Sequence, residues 1–407
     1  MTRSISLPAP LPRMFFVAIA AMLVISTMSV TTLAQDATPE AGGATSDSPF
    51  FNQEEYESQL AQRDIQPEGP EDQPWIQAIE PEYADTSEYA TEGPWDVCFS
   101  NAAVNNPWRA VGWTTMQAQV EVLQEEGSIG DFTVFDAEGD DNQQISDIES
   151  LLNEDCDILI VSPNTTAALT PAVEAACEQL PVIVFDRGVE TDCPVTFIHP
   201  IGGYAFGADG AEFLVEQVPE GGNVLALRIL PGVDVLETRW AAADIAFQEA
   251  GINVIGEEFT EGDRANVQRI VTDYIAQYGD DIDGVWMDAG QDAVAVIEAF
   301  ETLGLEVPPL TGEDQLDFLN AWADQDLTAV APTYSNYQWR TPIIAATMIL
   351  AGEEVPSEWV LPQPLITEET RDDYLAEDVN MPPLHYALCG CEEFAEYPER
   401  WGGEAVE

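Results

Sequence analysis

Three arginines stand where they could grip a ligand. Arg109 ends the run SNAAVNNPWR (100–109) after the first apolar strand-like segment, Arg187 follows Val182–Phe185 as Asp186-Arg187, and Arg239 opens a helical stretch after Leu225–Leu230. The chain has 407 residues with Asp+Glu 75 against Lys+Arg 12, and all twelve cations are Arg. Where positive charge is so scarce, guanidinium groups at strand ends suggest a planar fork that bonds two neighbouring hydroxyls or a carboxylate. Taken singly, each is explained as well by a structural ion pair with the abundant carboxylates. Asn106 adds an amide that donates and accepts, and Trp108 an aromatic face for the C–H side of a sugar ring, although a Trp at a helix start also suits a core. Asp136, Asp288 and Asp314 end strands as well and could accept from hydroxyls.

Other chemistries fall away. With no Lys there is neither a Walker-A phosphate loop nor a lysine Schiff base. No G-x-S-x-G or H-E-x-x-H occurs, and His199 and His385 are the only imidazoles. His199 reads as a hinge residue between lobes rather than a base. The run Ile201-Gly202-Gly203-Tyr204-Ala205-Phe206-Gly207 lacks the order of a dinucleotide loop. The net charge of −63 repels nucleic acid and anionic lipid. Such a charge strains a compact state in dilute buffer and is screened in molar salt, which points to a saline habitat.

The elements that must position these residues read as an α/β chain. Apolar runs at Val97–Phe99, Phe132–Phe135, Ile158–Val161, Val182–Phe185 and Val195–Ile198 alternate with helical periods at Pro107–Gln124, Asn142–Asn153 and Ala167–Gln179. The alternation repeats with strands at Val224–Leu230, Val254–Phe259, Val285–Met287 and Ala329–Ala331. Its helices run at Leu236–Glu249, Ala265–Tyr278, Ala293–Leu303 and Tyr337–Ala351. Two rounds predict two Rossmann-like lobes with parallel sheets, each placing its ligand beyond the carboxyl ends of the strands. The facing strand-end loops then line a cleft.

Residues 1–34 read as a secretory signal peptide: Arg3 and Arg13, the apolar run Met14–Ile25, and small residues before a cut after Ala34. No transmembrane segment is expected once it is removed. Residues 35–92 read as an acidic, Pro-rich spacer, partly disordered, with a short ordered piece at Gln73–Ile79. Export favours disulfides among Cys98, Cys156, Cys177, Cys193, Cys389 and Cys391. Cys177 with Cys193 is the preferred pair, Cys98 suits a buried thiol equally well, and Cys389-Gly390-Cys391 lacks the spaced partner of a zinc finger. Neither a metal nor a cofactor is expected.

In order along the chain, NNPWR, a Gln-bearing helix before CDILIVSPN, PVIVFDRG, Arg239, the Asp288–Ala299 run and TGED resemble the ribose-binding-protein type of periplasmic sugar-binding proteins, the substrate-binding components of ABC importers. The resemblance covers about 95–355. It implies two lobes joined by three hinge crossings: an N-terminal lobe of 93–199 plus about 334–358, and a C-terminal lobe of 200–333 plus about 359–370, leaving 371–407 as an extension. By position it implies sugar contacts from Asn106, Trp108, Asp186, Arg187 and Arg239, with Arg109 beside them. Asp314 matches the family's acidic hydroxyl acceptor, with Glu313 as the alternative. Ala289 stands where the family usually has Asn, so Asp288 substitutes, and Gly262 replaces an aromatic. Thr333 occupies a Gln position, with Tyr334 and Asn336 close enough to supply the polar group.

The expected function is therefore non-catalytic: an exported monomer of the periplasm or cell envelope that captures a monosaccharide or polyol. It would deliver this ligand to an ABC transporter permease and its ATPase. Sugar sensing for a membrane receptor is the nearer alternative, and a glycoside- or nucleoside-cleaving enzyme the more distant one.

Overall fold

The computed structural model describes residues 48–375 and 379–406. The signal peptide, the cut after Ala34 and the first part of the spacer lie outside them. Two fully parallel sheets form, as the alternation predicts. The first holds six strands in the spatial order Glu358–Leu361, Thr196–Pro200, Val182–Phe185, Ile158–Ser162, Trp95–Asn101, Ile129–Asp136. The second holds five, in the order Ala329–Val330, Leu310–Thr311, Gly284–Met287, Asn223–Arg228, Asn253–Phe259. Strands such as Ile158–Ser162 are buried along their whole length because helices cover both faces, which is why they read as unbroken apolar runs. In each sheet the first strand of the lobe lies between the second and third. The chain reverses direction there, and a crevice opens beyond the strand ends.

Two elements differ from the sequence reading. The helix expected from Tyr337 starts at Thr341, after a 3₁₀ turn at Asn336–Trp339, because Pro342 lacks an N–H and sits in the first helical turn. The strand Glu358–Leu361 pairs in parallel with Thr196–Pro200 and so belongs to the first sheet; the chain then passes to the second lobe, where Ile366 bridges Ala331.

Three crossings join the lobes, near Pro200–Gly203, Ala331–Asn336 and Pro362–Ile366, and they are tied together. Gln363 accepts from Gly202 N at 2.9 Å and returns a bond to Gly202 O at 3.2 Å. Thr333 Oγ1 donates to Pro364 O at 2.6 Å. His199 lies beside this hinge, its Nε2 3.1 Å from Glu358.

The segment before the first lobe is more ordered than its composition predicts. Asn52 caps a helix, Gln53–Gln62, through bonds to Glu54 N and Glu55 N. This helix packs on the second lobe: Asn52 N donates to Tyr204 Oη at 2.7 Å, and Arg63 pairs with Asp209 at 2.7 Å and Glu212 at 2.9 Å. Further on, Trp75 sits under the Arg340 guanidinium at 3.6 Å, and Tyr83–Ala84 pairs antiparallel with Val355–Pro356 on the first lobe.

The C-terminal extension straddles the lobes in the same way. On the second lobe, Leu316 N donates to His385 O at 3.0 Å and Asp317 N to Pro383 O at 2.8 Å. On the first, Arg340 donates to Gly390 O at 2.6 Å and Trp401 Nε1 to Thr115 Oγ1 at 3.1 Å.

All six cysteines are paired. Cys177 joins Cys193 and Cys389 joins Cys391. Cys98 is bridged to Cys156 rather than free, because the register of its strand brings it beside the loop that enters Ile158–Ser162.

Candidate functional site

A cavity of about 400 Å³ opens between the lobes at the strand ends, within the range of about 300–1,000 Å³ usual for small ligands. Asn106, Arg109, Asn164 and Arg187 line it from the first lobe, and Glu261, Gly262, Arg264 and Gln291 from the second. Leu384, from the C-terminal extension, completes the wall.

Local structure places the first-lobe groups. Asn106 caps the helix Pro107–Glu125, its Oδ1 accepting from Arg109 N at 2.8 Å, with Pro107 pre-set for the first turn. Arg109 Nη2 donates to Asp186 Oδ2 at 2.7 Å, while Arg109 Nη1 is buried without a partner. Asp186 has φ +70°, and this left-handed turn directs Arg187 next to it. Arg187 Nη1 donates to Asn164 O. Burial, followed by the nearby charge of Arg109, pushes the Arg187 guanidinium below its ordinary value.

Arg239 is held from the second lobe. Its guanidinium lies 3.8 Å from the Phe206 ring centroid and 5.1 Å from that of Tyr334, and Nη1 donates to Asp288 O at 2.5 Å. Gly207 makes this possible: a Cβ there would stand 1.9 Å from Arg239 O, so only glycine lets the helices Gly203–Gln217 and Asp234–Ala250 approach so closely. The glycines of the 201–207 run thus serve helix packing.

The arginines divide sharply. Of the ten among the described residues, eight pair with carboxylates. Arg187 and Arg239 make no ion pair among the described residues and bond only backbone carbonyls.

Arg239, Asp186 and the other expected residues lie around the cavity rather than in its lining. Trp108 Nε1 donates to Tyr334 O at 2.9 Å, and Asn336 Nδ2 donates to Trp108 O at 2.6 Å, leaving Asn336 Oδ1 buried and unpartnered. Thr333 turns its hydroxyl to the hinge. Asp288 Oδ1 accepts from Ile229 N at 2.9 Å, and burial pushes this carboxyl up to about 7 against the opposing pull of Arg239. Asp314 Oδ2 accepts from Leu388 N at 2.7 Å, and burial, then Glu313, pushes it up to about 7. Burial also raises Glu313, which accepts from Gly290 N at 3.2 Å. Asp136 accepts from Asn101 Nδ2 at 2.7 Å, away from the cavity.

Sequence reasoning missed Asn164, Glu261, Arg264, Gln291 and Leu384. Asn164 had a readable signal, as the residue two places beyond Ile158–Ser162. Gln291 had none: a Cβ on Gly262 would lie 2.3 Å from Gln291 Nε2, so Gln291 fills the space that a side chain at 262 would take.

Two doubly wound lobes, three tied crossings and a polar cavity between strand ends define a hinged two-lobe binding protein. The sequence profile of the periplasmic binding protein domain matches residues 97–354. The ribose import binding protein of Bacillus subtilis is 23% identical over 291 residues, spanning 71% of this chain and 92% of that protein. An ABC transporter solute-binding protein from Thermobispora bispora superposes with a TM-score of 0.63 at 23% identity, over 77% of this chain and 98% of that one. A second, from Bacillus halodurans with bound myo-inositol, gives 0.62 at 21% identity, over 70% and 99%. The chain belongs to the periplasmic binding protein family, and to its ribose-binding-protein type.

Proposed function

We propose that this protein is an exported, non-catalytic monomer that binds a monosaccharide or polyol in the interlobe cavity and hands it to an ABC import permease and its ATPase. One observation carries the reading: Arg187 and Arg239 keep their forks free of carboxylates in a chain with 75 of them. A guanidinium with carboxylates nearby but none within ion-pair distance, and partly stripped of water, has donors left for ligand hydroxyls. The ribose import of one relative and the myo-inositol bound to another support a polyhydroxylated ligand.

In this mechanism Arg187 and Asn106 hold hydroxyls from the first lobe and Arg239 from the second. Asp186 and Asp288 accept from them once closure brings them to the ligand, and Trp108 and Tyr334 back the cavity from behind its lining. Asp314 or Glu313, Thr333 and Asn336 support the second lobe and the hinge around this core. Closure removes water from the cavity and strengthens each bond; opening at the permease weakens them together and releases the ligand. Isothermal calorimetry in molar salt against pentoses, hexoses and inositols tests the reading. Heat of binding for at least one sugar or polyol is expected, and its loss in a folded Arg239→Ala variant. Unchanged affinity in that variant would remove this site.

A further inference from the structure

Outside the cavity, three metal-ligating side chains meet in the C-terminal extension. His385 Nε2 lies 3.5 Å from Cys389 Sγ and 3.8 Å from Cys391 Sγ, and the Glu392 carboxylate is 3.5 Å from Cys389 Sγ. The ligand atoms of His385, Cys389 and Cys391 all lie within 4.8 Å of one another. These three residues are buried, at 2%, 0% and 0% exposure. His385 Nδ1 has no partner among the described residues, so neither ring nitrogen bonds an oxygen or another nitrogen. Nε2 faces only the two sulfurs, where the lone pair of a neutral imidazole can join them around a metal.

The disulfide between the two cysteines does not account for the cluster. A bridge stabilises by closing a loop, and the gain grows with loop length. The other two bridges span sequence separations of 58 and 16, but this one spans 2. Gly390, at φ +59°, makes the turn that points both sulfurs toward His385; a Cβ there would stand 2.8 Å from Trp75 and 2.9 Å from Tyr337.

We infer that the reduced form of this cluster is a zinc site, with His385 Nε2, Cys389 Sγ and Cys391 Sγ as ligands and a Glu392 carboxylate oxygen in the fourth position. Zinc bonds of about 2.3 Å to sulfur and about 2.0–2.2 Å to nitrogen or oxygen place neighbouring ligands of a tetrahedron roughly 3.5 Å apart. The imidazole–sulfur distances are already close to that length; the two sulfurs must separate, and the Glu392 carboxylate, near Cys389 but outside the mutual group of three, must swing toward His385 and Cys391. Two thiolates with an imidazole suit zinc or copper(I), and the hard carboxylate oxygen favours zinc. A dithiol reductant opens the site: it gives two electrons and two protons to the S–S bond and is itself oxidised to a disulfide, leaving two thiols. Both thiols then release their protons to water as zinc binds. A cavity of about 450 Å³ lined by Trp75, His385, Leu388, Glu392 and Tyr397 provides the way in.

The test uses the full chain in molar salt, reduced with dithiothreitol, freed of reductant under nitrogen, and given zinc chloride or cobalt chloride. Metal content is measured after gel filtration, and the cobalt form by absorption. The reduced protein is expected to retain about one zinc per chain and its cobalt form to show a thiolate charge-transfer band, while the oxidised protein retains neither. The double variant Cys389→Ser/Cys391→Ser, treated identically, loses both signals, which separates this site from thiols freed at the other two bridges. His385→Ala loses stoichiometric zinc. Should it fail to fold by circular dichroism, Glu392→Gln, altered at an exposed side chain, keeps the thiolate band and holds zinc more weakly. No uptake by folded, reduced protein would overturn the site, as would equal uptake by the double serine variant.

Discussion

Arg109 and Asp186 form a buried ion pair at 2.7 Å, and Tyr334 Oη donates to the Asp186 carbonyl oxygen at 3.1 Å. The pair fixes the turn that presents Arg187, so one arginine of the first lobe acts as a post and its neighbour as an arm.

The two arginines should therefore differ in what their loss does. Removing one partner of a buried pair strands the other charge, so Arg109→Ala is expected to lower stability by about 3–5 kcal/mol. Arg187→Ala removes a single hydrogen bond and should cost about 1 kcal/mol. Both should lose ligand binding by calorimetry. Equal denaturation midpoints for the two variants would contradict the division.

Arg239 works through its flat shape as well as its charge. Stacked between Phe206 and Tyr334, it offers a rigid fork that an ammonium does not reproduce. Arg239→Lys should keep the fold and weaken ligand affinity about tenfold or more, the equivalent of about 1.4 kcal/mol. Calorimetry on the variant checks this.

Acid should stabilise part of the second lobe. Asp288 and Asp314 stand at about 7 in the folded chain against an ordinary 3.8. Between these values the folded state holds protons that the unfolded state has released. Stability is thus greatest at the acid end of that window, falls as pH rises through about 7, and levels off above it. Asp314→Asn keeps an acceptor for Leu388 N and removes one of these titrations. Its urea-unfolding free energy should vary less between pH 5 and 8 than that of the wild type, measured at about 1 M salt to screen the surface.

The surface itself should respond to salt. With a net charge of −63, the thermal midpoint should climb between about 0.1 M and molar sodium chloride, as the screening length shrinks from about 10 Å to about 3 Å. A midpoint independent of salt would end the saline reading.

The parallel sheets were legible because strands buried on both faces read as unbroken apolar runs, and Arg109 and Arg187 of the cavity lining because they follow such runs in a chain otherwise poor in cations. What stayed hidden depends on tertiary approach. Gln291 reaches the cavity only because Gly262 leaves it room. His385 is four residues from Cys389, a spacing that says little until the Gly390 turn folds the sulfurs back. The Gln53–Gln62 helix was obscured by composition: six of its ten residues are Gln or Glu, and only Tyr56 and Gln59 are buried. Its order comes from the lobe beneath it.

The extension bonded to both lobes has a mechanical consequence. Leu388 is bonded on both sides: its N–H donates to Asp314 of the second lobe at 2.7 Å, and its carbonyl accepts from Tyr337 N of the first at 2.9 Å, so no free chain separates the two anchors. It acts as a clasp rather than a tether: the lobes separate widely only after one of these two sets of bonds has let go.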